Sequence, residues 1–246
     1  MAPMTQPGSP TAFEDLVDHY DAARPTYPAS LYDALPSLSG SVLELGAGTG
    51  IATRELEQRT GRLVCTDLGP KMLGRLHERS PAVPVVVARA EALPFDADSF
   101  DVVCGAQMWH WVDVAVAAPE VVRVLRPGGA LALWWNEVDA DGLPWWDAQQ
   151  DRLEAGNPRY RRGYRARDYR SELTPYFGSV DQWTTRWERT LDWPTYEHWL
   201  RSKSYVQALD DVDGFIDAER ASLHDAFPDG RIVEPFIVSL WIARTP

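Results

Sequence analysis

The segment Val42-Leu43-Glu44-Leu45-Gly46-Ala47-Gly48-Thr49-Gly50 sets the tightest limit on what this chain can fold into. Four residues of strand character end in a glycine-rich turn, and a helical pattern follows. Glycine lacks a Cβ, so the backbone at Gly46 and Gly48 passes close to a ligand where any other residue would clash. The helix start beyond the turn adds free amides and a positive dipole end, suited to a carboxylate or to polar ligand atoms.

The surrounding sequence repeats the unit. From Ser41 to Trp135, short β-branched runs alternate with helical patterns, the signature of βαβ units in a parallel sheet. Strands are expected over 42–45, 62–66, 83–89, 100–105 and 130–135, and their near-continuous apolar character suits strands covered on both faces. The first helix is expected over 50–60, stopping at Gly61, and the second from Pro70. A later helix carries Val121, Val122, Val124 and Leu125 before Pro127-Gly128-Gly129. Upstream, 13–35 has a helical pattern broken by Pro25 and Pro28, which predicts a turn at 24–27. Downstream, aromatic-rich helical stretches at 144–176 and 194–226 flank two further strands, 182–191 and 232–243. Two late strands separated by a helical insertion predict an antiparallel edge.

A chain of 246 residues, 45% hydrophobic, is long enough for one α/β domain. A single domain is expected over 12–246, behind a flexible tail at 1–11 that has neither the basic start nor the apolar stretch of a signal peptide. The balance of 36 acidic against 24 Lys and Arg side chains works against nucleic-acid and anionic-membrane partners and favours a small molecule. No run reaches the roughly 18 apolar residues of a membrane helix. The only cysteines, Cys65 and Cys104, sit in apolar strand-like runs, which predicts reduced thiols and a soluble, cytoplasmic protein.

A nicotinamide-binding loop competes for the glycine segment. Its third glycine would fall at position 51, which is Ile51, and that weakens the dinucleotide reading. Asp67, about 20 residues on, suits ribose hydroxyls under either reading, because a carboxylate accepts from both donors.

The order of the remaining landmarks is more specific. Val42 to Gly50 resembles motif I of the class I S-adenosylmethionine-dependent methyltransferases, Asp67 falls at that family's ribose-binding acid, and Ala90-Glu91-Ala92-Leu93-Pro94-Phe95 resembles its adenine-side loop. Ser99-Phe100-Asp101-Val102-Val103 and Leu125-Arg126-Pro127-Gly128-Gly129 follow in the family's order. Tyr20 with Arg24-Pro25-Thr26-Tyr27-Pro28, Gln107-Met108-Trp109-His110-Trp111 and Trp134-Trp135-Asn136 resemble the small-molecule branch that includes trans-aconitate methyltransferase-like proteins. Met108 and Trp109 depart from that branch's alanine-phenylalanine-His-Trp pattern, which implies a remodelled substrate face. The resemblance implies a Rossmann-like sheet in the order 3-2-1-4-5-7-6 with strand 7 antiparallel, helices on both faces and a helical lid formed by insertions at 138–178 and 194–230.

It also implies S-adenosylmethionine as cofactor, S-adenosylhomocysteine as product and no metal; the five histidines form no convincing ligand cluster. Candidate cofactor contacts are Tyr20, Arg24, Glu44, Gly46, Ala47, Gly48, Asp67, Leu68, Met72, Ala90, Glu91 and Gln107. Tyr20 and Arg24 would clamp a carboxylate, for which an Arg fork is suited; a packed ring and a surface salt bridge are their structural alternatives. Glu44 would meet the cofactor's amino group or be a buried acid tied to amides. Leu68 and Met72 would flank the adenine or be ordinary core, and Glu91 would read the adenine or be a solvated loop acid.

His110 is the candidate general base, since imidazole titrates near neutral pH, or else a residue that positions its loop. Of the 11 tryptophans, most of which suit core packing, Trp109, Trp135 and Trp199 are assigned with Tyr205 to an acceptor pocket. Six arginines between Arg159 and Arg170, interleaved with tyrosines, read as a solvated face or as a nucleic-acid contact. The expectation is methyl transfer to a small organic acceptor. An RNA methyltransferase using the arginine run, or a cofactor-binding protein without methyl transfer, stand as alternatives.

Overall fold

The computed structural model describes residues 24–162 and 167–246. The flexible tail expected at 1–11, residues 13–23 of the helical pattern at 13–35 and Tyr20 lie outside them. Within them, 24–28 carries no helix, and α1 (Ala29–Ala34) begins directly after Pro28.

A seven-stranded sheet runs in the order β3-β2-β1-β4-β5-β7-β6, with β7 antiparallel. β1 (Val42–Leu45), all four residues buried, is the third strand in that order. It pairs in parallel with β2 (Leu63–Asp67) and with β4 (Phe100–Ala106), so Val42 faces Leu63 on one side and Val102 on the other. Strand order reverses between β1 and β4, the place where α/β sheets bind ligands beyond their carboxyl ends.

Several elements differ in length from their sequence patterns. The helix expected over 50–60 is reduced to α2 (Thr53–Leu56), because Gly50 sits at φ +85° and the helical conformation starts only past it. α3 (Pro70–Arg79) starts as expected, with Pro70 in the first turn where its missing N–H costs nothing. β3 (Val85–Val87) is shorter than the run 83–89. Among the described residues β2 is its only strand neighbour, and Val87 is 58% exposed.

α4 (Val114–Val124) is capped by Asp113, whose side chain accepts from the Ala115 amide. β5 (Leu125–Val138) begins five residues before the apolar run at Ala130, because Leu125 already pairs with Phe100 across an irregularity in the ladder. The stretch 144–176 breaks at Asn157-Pro158 into α5 (Pro144–Gly156) and α6 (Tyr169–Leu173). β6 (Ser179–Leu191) and β7 (Ile232–Arg244) are the late strands, each longer than its pattern. Between them, 194–226 divides into α7 (Trp193–Arg201), α8 (Ser204–Gln207) and α9 (Val212–Ala226). Asp192 and Asp211 cap α7 and α9 by accepting from the Thr195 and Gly214 amides; such caps contribute about 1 kcal/mol each.

By contact the described residues divide into two compact units. The sheet unit comprises 26–137, 167–185 and 237–246, with a core that includes Leu43, Leu45, Val103, Val121, Leu131, Leu133 and Trp135. The helical unit comprises 24–25, 138–162 and 186–236, around Trp145, Leu153, Tyr196, Leu200, Val206, Ile216 and Leu223. Residues 167–178 cluster with the sheet unit because Tyr169, Leu173 and Phe177 are buried in its core.

Candidate functional site

The glycine turn takes its shape from left-handed backbone. Gly46 and Gly48 have φ of +60° and +56°, a region that other residues enter only with strain. The Ala47 amide donates to the Thr66 carbonyl at 2.9 Å and pins the turn to β2. A Cβ on Gly46 would stand 2.7 Å from Cβ of Met108, whereas one on Gly48 would meet nothing within 4 Å. Gly46 thus makes room for the chain beyond β4, and Gly48 borders open space. Met108 also packs against Gly105, with Cγ 3.0 Å from the position of a Cβ there, a wedge that sequence reasoning missed.

Asp67 closes the turn from the end of β2. Its Oδ2 accepts from the Gly48 amide at 2.9 Å and its Oδ1 from the Gly69 amide at 2.8 Å. Each carboxylate oxygen has two lone pairs and can accept more than one hydrogen bond.

Glu44 lies behind the turn, 1% exposed. Thr53 Oγ1 donates to its Oε2 at 2.6 Å and Cys65 Sγ to the same atom at 3.4 Å. Burial raises its pKa to about 7, opposed by the Thr53 hydrogen bond. Burial likewise pushes the Cys65 and Cys104 thiols up, and both cysteines are free.

On the side of β2 and β3, Leu68 is 41% exposed while Met72 is buried. Ala90 is buried as well, and Oε1 of Glu91 accepts from the Asp113 amide at 3.0 Å, which ties the 90–95 loop to the start of α4.

Beyond β4, Gln107 occupies the left-handed region at φ +57°. Its amide donates to the Trp134 carbonyl at 2.9 Å and its Nε2 to the Asn136 carbonyl at 3.0 Å, while its buried Oε1 has no hydrogen-bond donor. Trp109 to Trp111 form a 3-10 turn. The Trp109 side chain is fully buried in the sheet unit's core, its Nε1 without an acceptor. His110 is buried, and its Nδ1 accepts from Nε1 of Trp135 at 3.4 Å. Trp135 stacks on Tyr169, ring centroids 3.9 Å apart and planes 16° off parallel.

Arg24, Trp199 and Tyr205 meet within the helical unit. Arg24 Nη2 donates to the Ser202 carbonyl at 3.2 Å, and its guanidinium lies 5.9 Å from the Trp199 ring centroid. Lys203 Nζ lies 3.4 Å from the same centroid and 5.6 Å from that of Tyr205, and the Arg189 guanidinium is 5.0 Å from Trp199. Nη2 of Arg189 is 2.6 Å from Oε2 of the fully buried Glu234. Arg189, Lys203 and Glu234 were not singled out from the sequence. Their one signal is that Lys203 is one of only two lysines in the chain.

Four arginines of the run, Arg161, Arg162, Arg167 and Arg170, contact oxygens of the protein itself. Arg162 pairs with Asp147, Asp151 and Glu154, and Arg161 Nη1 donates to the Pro158 and Tyr160 carbonyls. Arg167 pairs with Glu172 at 2.7 Å, and Arg170 donates to the Val180 carbonyl. Among the described residues, no group of three His, Cys, Asp or Glu side chains is placed to hold a metal, and no helix is long and apolar enough to cross a membrane.

Residues 43–133 match the methyltransferase domain family. An uncharacterized methyltransferase of Mycobacterium tuberculosis (strain ATCC 25618 / H37Rv) is 39% identical over 195 residues, which span 79% of this chain and 77% of that protein. Among solved structures, a proposed type II methyltransferase from Anaeromyxobacter dehalogenans superposes with a TM-score of 0.68 at 24% identity, covering 91% of this chain and 99% of that one. A phosphoethanolamine N-methyltransferase of Haemonchus contortus, in complex with phosphomonomethylethanolamine and S-adenosylhomocysteine, superposes with a TM-score of 0.56 at 15% identity, covering 97% of this chain and 60% of that one.

Proposed function

Because the chain belongs to the class I S-adenosylmethionine-dependent methyltransferases, we propose that it transfers a methyl group to a small organic acceptor in a desolvated aromatic pocket. The observation that carries this reading is the turn at Gly46 to Gly50, where Gly48 borders open space and donates to the Asp67 carboxylate.

The residues suit the cofactor. Asp67 would receive the ribose hydroxyls, Leu68 and the 90–91 backbone would border the adenine, and the donor-less Oε1 of Gln107 would accept from a polar group of the ligand. Gly46, Ala47 and Gly48 would let the ligand approach the backbone, with Glu44 and Met72 supporting from behind. S-adenosylmethionine supplies an electrophilic methyl group on a sulfonium, and S-adenosylhomocysteine is the product. No metal enters the scheme, since the acceptor's lone pair displaces sulfur directly. The protein's share is alignment of nucleophile, methyl and sulfur, and exclusion of water.

Acceptor recognition is assigned to Trp135 and its neighbour Trp109 in the sheet unit. A small molecule is favoured over nucleic acid because Arg161, Arg162, Arg167 and Arg170 are bound to the protein's own oxygens and the chain carries a formal net charge of −12. The free, buried Cys65 and Cys104 suit a reducing cytoplasm.

Purified protein given S-adenosylmethionine and fractionated pools of small metabolites tests the reading. Acceptor-dependent release of S-adenosylhomocysteine supports it. Release that requires RNA, or cofactor binding with no release from any pool, replaces it with one of the two alternatives.

A further inference from the structure

We propose that Glu120 and Arg123, one turn apart near the end of α4, are positioning residues for the cofactor's adenine and set the preference for that base by holding the 89–95 segment in shape. This rests on the reading above that the 90–91 backbone borders the adenine.

The segment begins as a tight turn. The Ala92 amide donates to the Arg89 carbonyl at 3.1 Å, and the same two residues form an isolated antiparallel bridge. Ala90 and Glu91 are therefore the central pair of a four-residue turn, the pair that such a turn presents at its tip. With a single bridge in place of a ladder, the segment's other backbone groups need partners elsewhere.

α4 supplies them from both of its ends. At its start, the Asp113 amide donates to Oε1 of Glu91 at 3.0 Å. In its last turns, Oε1 of Glu120 accepts from the Leu93 amide at 2.8 Å. Arg123 donates from Nη2 to the Leu93 carbonyl at 3.1 Å and from Nη1 to the Phe95 carbonyl at 2.8 Å. One ion pair thus holds both backbone groups of Leu93. The pair is itself fixed, because Nε and Nη2 of Arg123 donate to Oε2 and Oε1 of Glu120, each at 2.8 Å. A planar guanidinium makes all of these bonds in one rigid fork, which an ammonium cannot do. Hydrogen bonding to Arg123 holds the Glu120 carboxyl below the usual carboxylate range, so the pair is ionised at neutral pH.

Apolar packing and the fork divide the work. Ala90 and Leu93 are buried in one cluster with Ala117, Ala118 and Val121 of α4, and Phe95 meets Phe100 edge-on at 5.1 Å. These contacts fix where the segment lies. The fork fixes the direction in which its amides and carbonyls point. Base selection depends on that direction, since a site that hydrogen-bonds one edge rejects an isostere whose donors and acceptors differ there.

Amide hydrogen exchange at Leu93 tests the clamp. Glu120→Ala is expected to speed it by roughly tenfold or more, the loss of a hydrogen bond to a charged group. Glu120→Gln keeps Oε1 for the Leu93 amide and is expected to stay near wild type. Unchanged exchange in Glu120→Ala overturns the proposal. Calorimetric titration tests the consequence, with S-adenosylhomocysteine and its inosine analogue, whose base carries an oxygen where adenine has its amino group. The wild type is expected to favour the adenine compound. Glu120→Ala and Arg123→Ala are expected to narrow that preference about three- to tenfold, with Glu120→Gln restoring most of it. Equal weakening of both ligands is the result of a purely structural role and overturns the proposal, as does a preference that survives in both alanine variants. A wild type that binds the two ligands alike removes the adenine reading and the proposal with it. A wild type that binds neither removes the methyl-donor reading as well.

Discussion

Gly48 donates its amide to Oδ2 of Asp67 at 2.9 Å while Oδ1 of the same carboxylate takes the Gly69 amide at 2.8 Å, so one side chain joins the glycine turn to the start of α3. Both oxygens must accept. Asparagine can satisfy only one of the two amides and would set its own N–H₂ against the other. Asp67→Asn is expected to weaken S-adenosylhomocysteine binding at least tenfold, in line with the about 1.5–3 kcal/mol of a hydrogen bond to a charged group. Titration calorimetry on the folded variant reads it, and an unchanged affinity removes Asp67 from the site.

Glu44 links stability to pH. Its pKa is raised from 4.5 to about 7, chiefly by burial, so the folded state holds this proton more tightly than the unfolded chain. Its contribution is complete below about pH 4.5, is lost as the pH rises to about 7, and is flat above that. The loss is on the order of 3 kcal/mol at about 1.4 kcal/mol per pH unit. Glu44→Gln stays neutral throughout. Urea unfolding is expected to show the stability difference between variant and wild type shifting in the variant's favour from pH 5 to pH 7. A difference that is constant with pH contradicts the raised pKa.

Arg189 and Glu234 form a buried pair in the helical unit, with side-chain exposures of 12% and 0%. Removing one partner leaves a charge in a dry site, so Arg189→Leu is expected to cost about 3–5 kcal/mol. The double variant Arg189→Leu/Glu234→Leu should recover most of that. A double variant as unstable as the single one would show that the contact of the Arg189 guanidinium with the Trp199 and Phe236 rings, rather than the charge pair, holds the unit.

The two first glycines of the turn separate packing from binding. Alanine at Gly46 meets both a left-handed φ and a Cβ contact of 2.7 Å with Met108. At Gly48 the left-handed φ is the sole penalty, about 1–2 kcal/mol, with no atom in the way. Gly48→Ala is expected to lower the melting temperature by about 2–8 °C, and Gly46→Ala by clearly more. Equal losses would show that Met108 yields without cost.

The parallel half of the fold was legible because its strands are short, continuous apolar runs punctuated by Gly and Pro. Strand order past β5 came from resemblance, since pairing between distant strands leaves no local trace. Element lengths were read less well where tertiary pairing overrides punctuation: Leu125-Arg126-Pro127-Gly128-Gly129 has the composition of a loop, yet it runs into β5 because Leu125 pairs with Phe100. Spacing brought Asp67 and the glycine turn together as neighbours of a ligand, and the Gly48 amide donates to Asp67. The Trp135–His110 bond joins residues 25 apart in the chain, and the charges around Trp199 come together from β6, β7 and α8's approach, so neither had a sequence signature.

The central claim is that the glycine turn holds the methyl donor, and calorimetric titration of S-adenosylhomocysteine into wild type and Gly48→Ala addresses it most directly. One site per chain is expected in the wild type, with affinity falling at least tenfold in the folded variant as the new methyl enters the space that Gly48 borders. No binding by the wild type, or equal affinity in both proteins, would contradict the account.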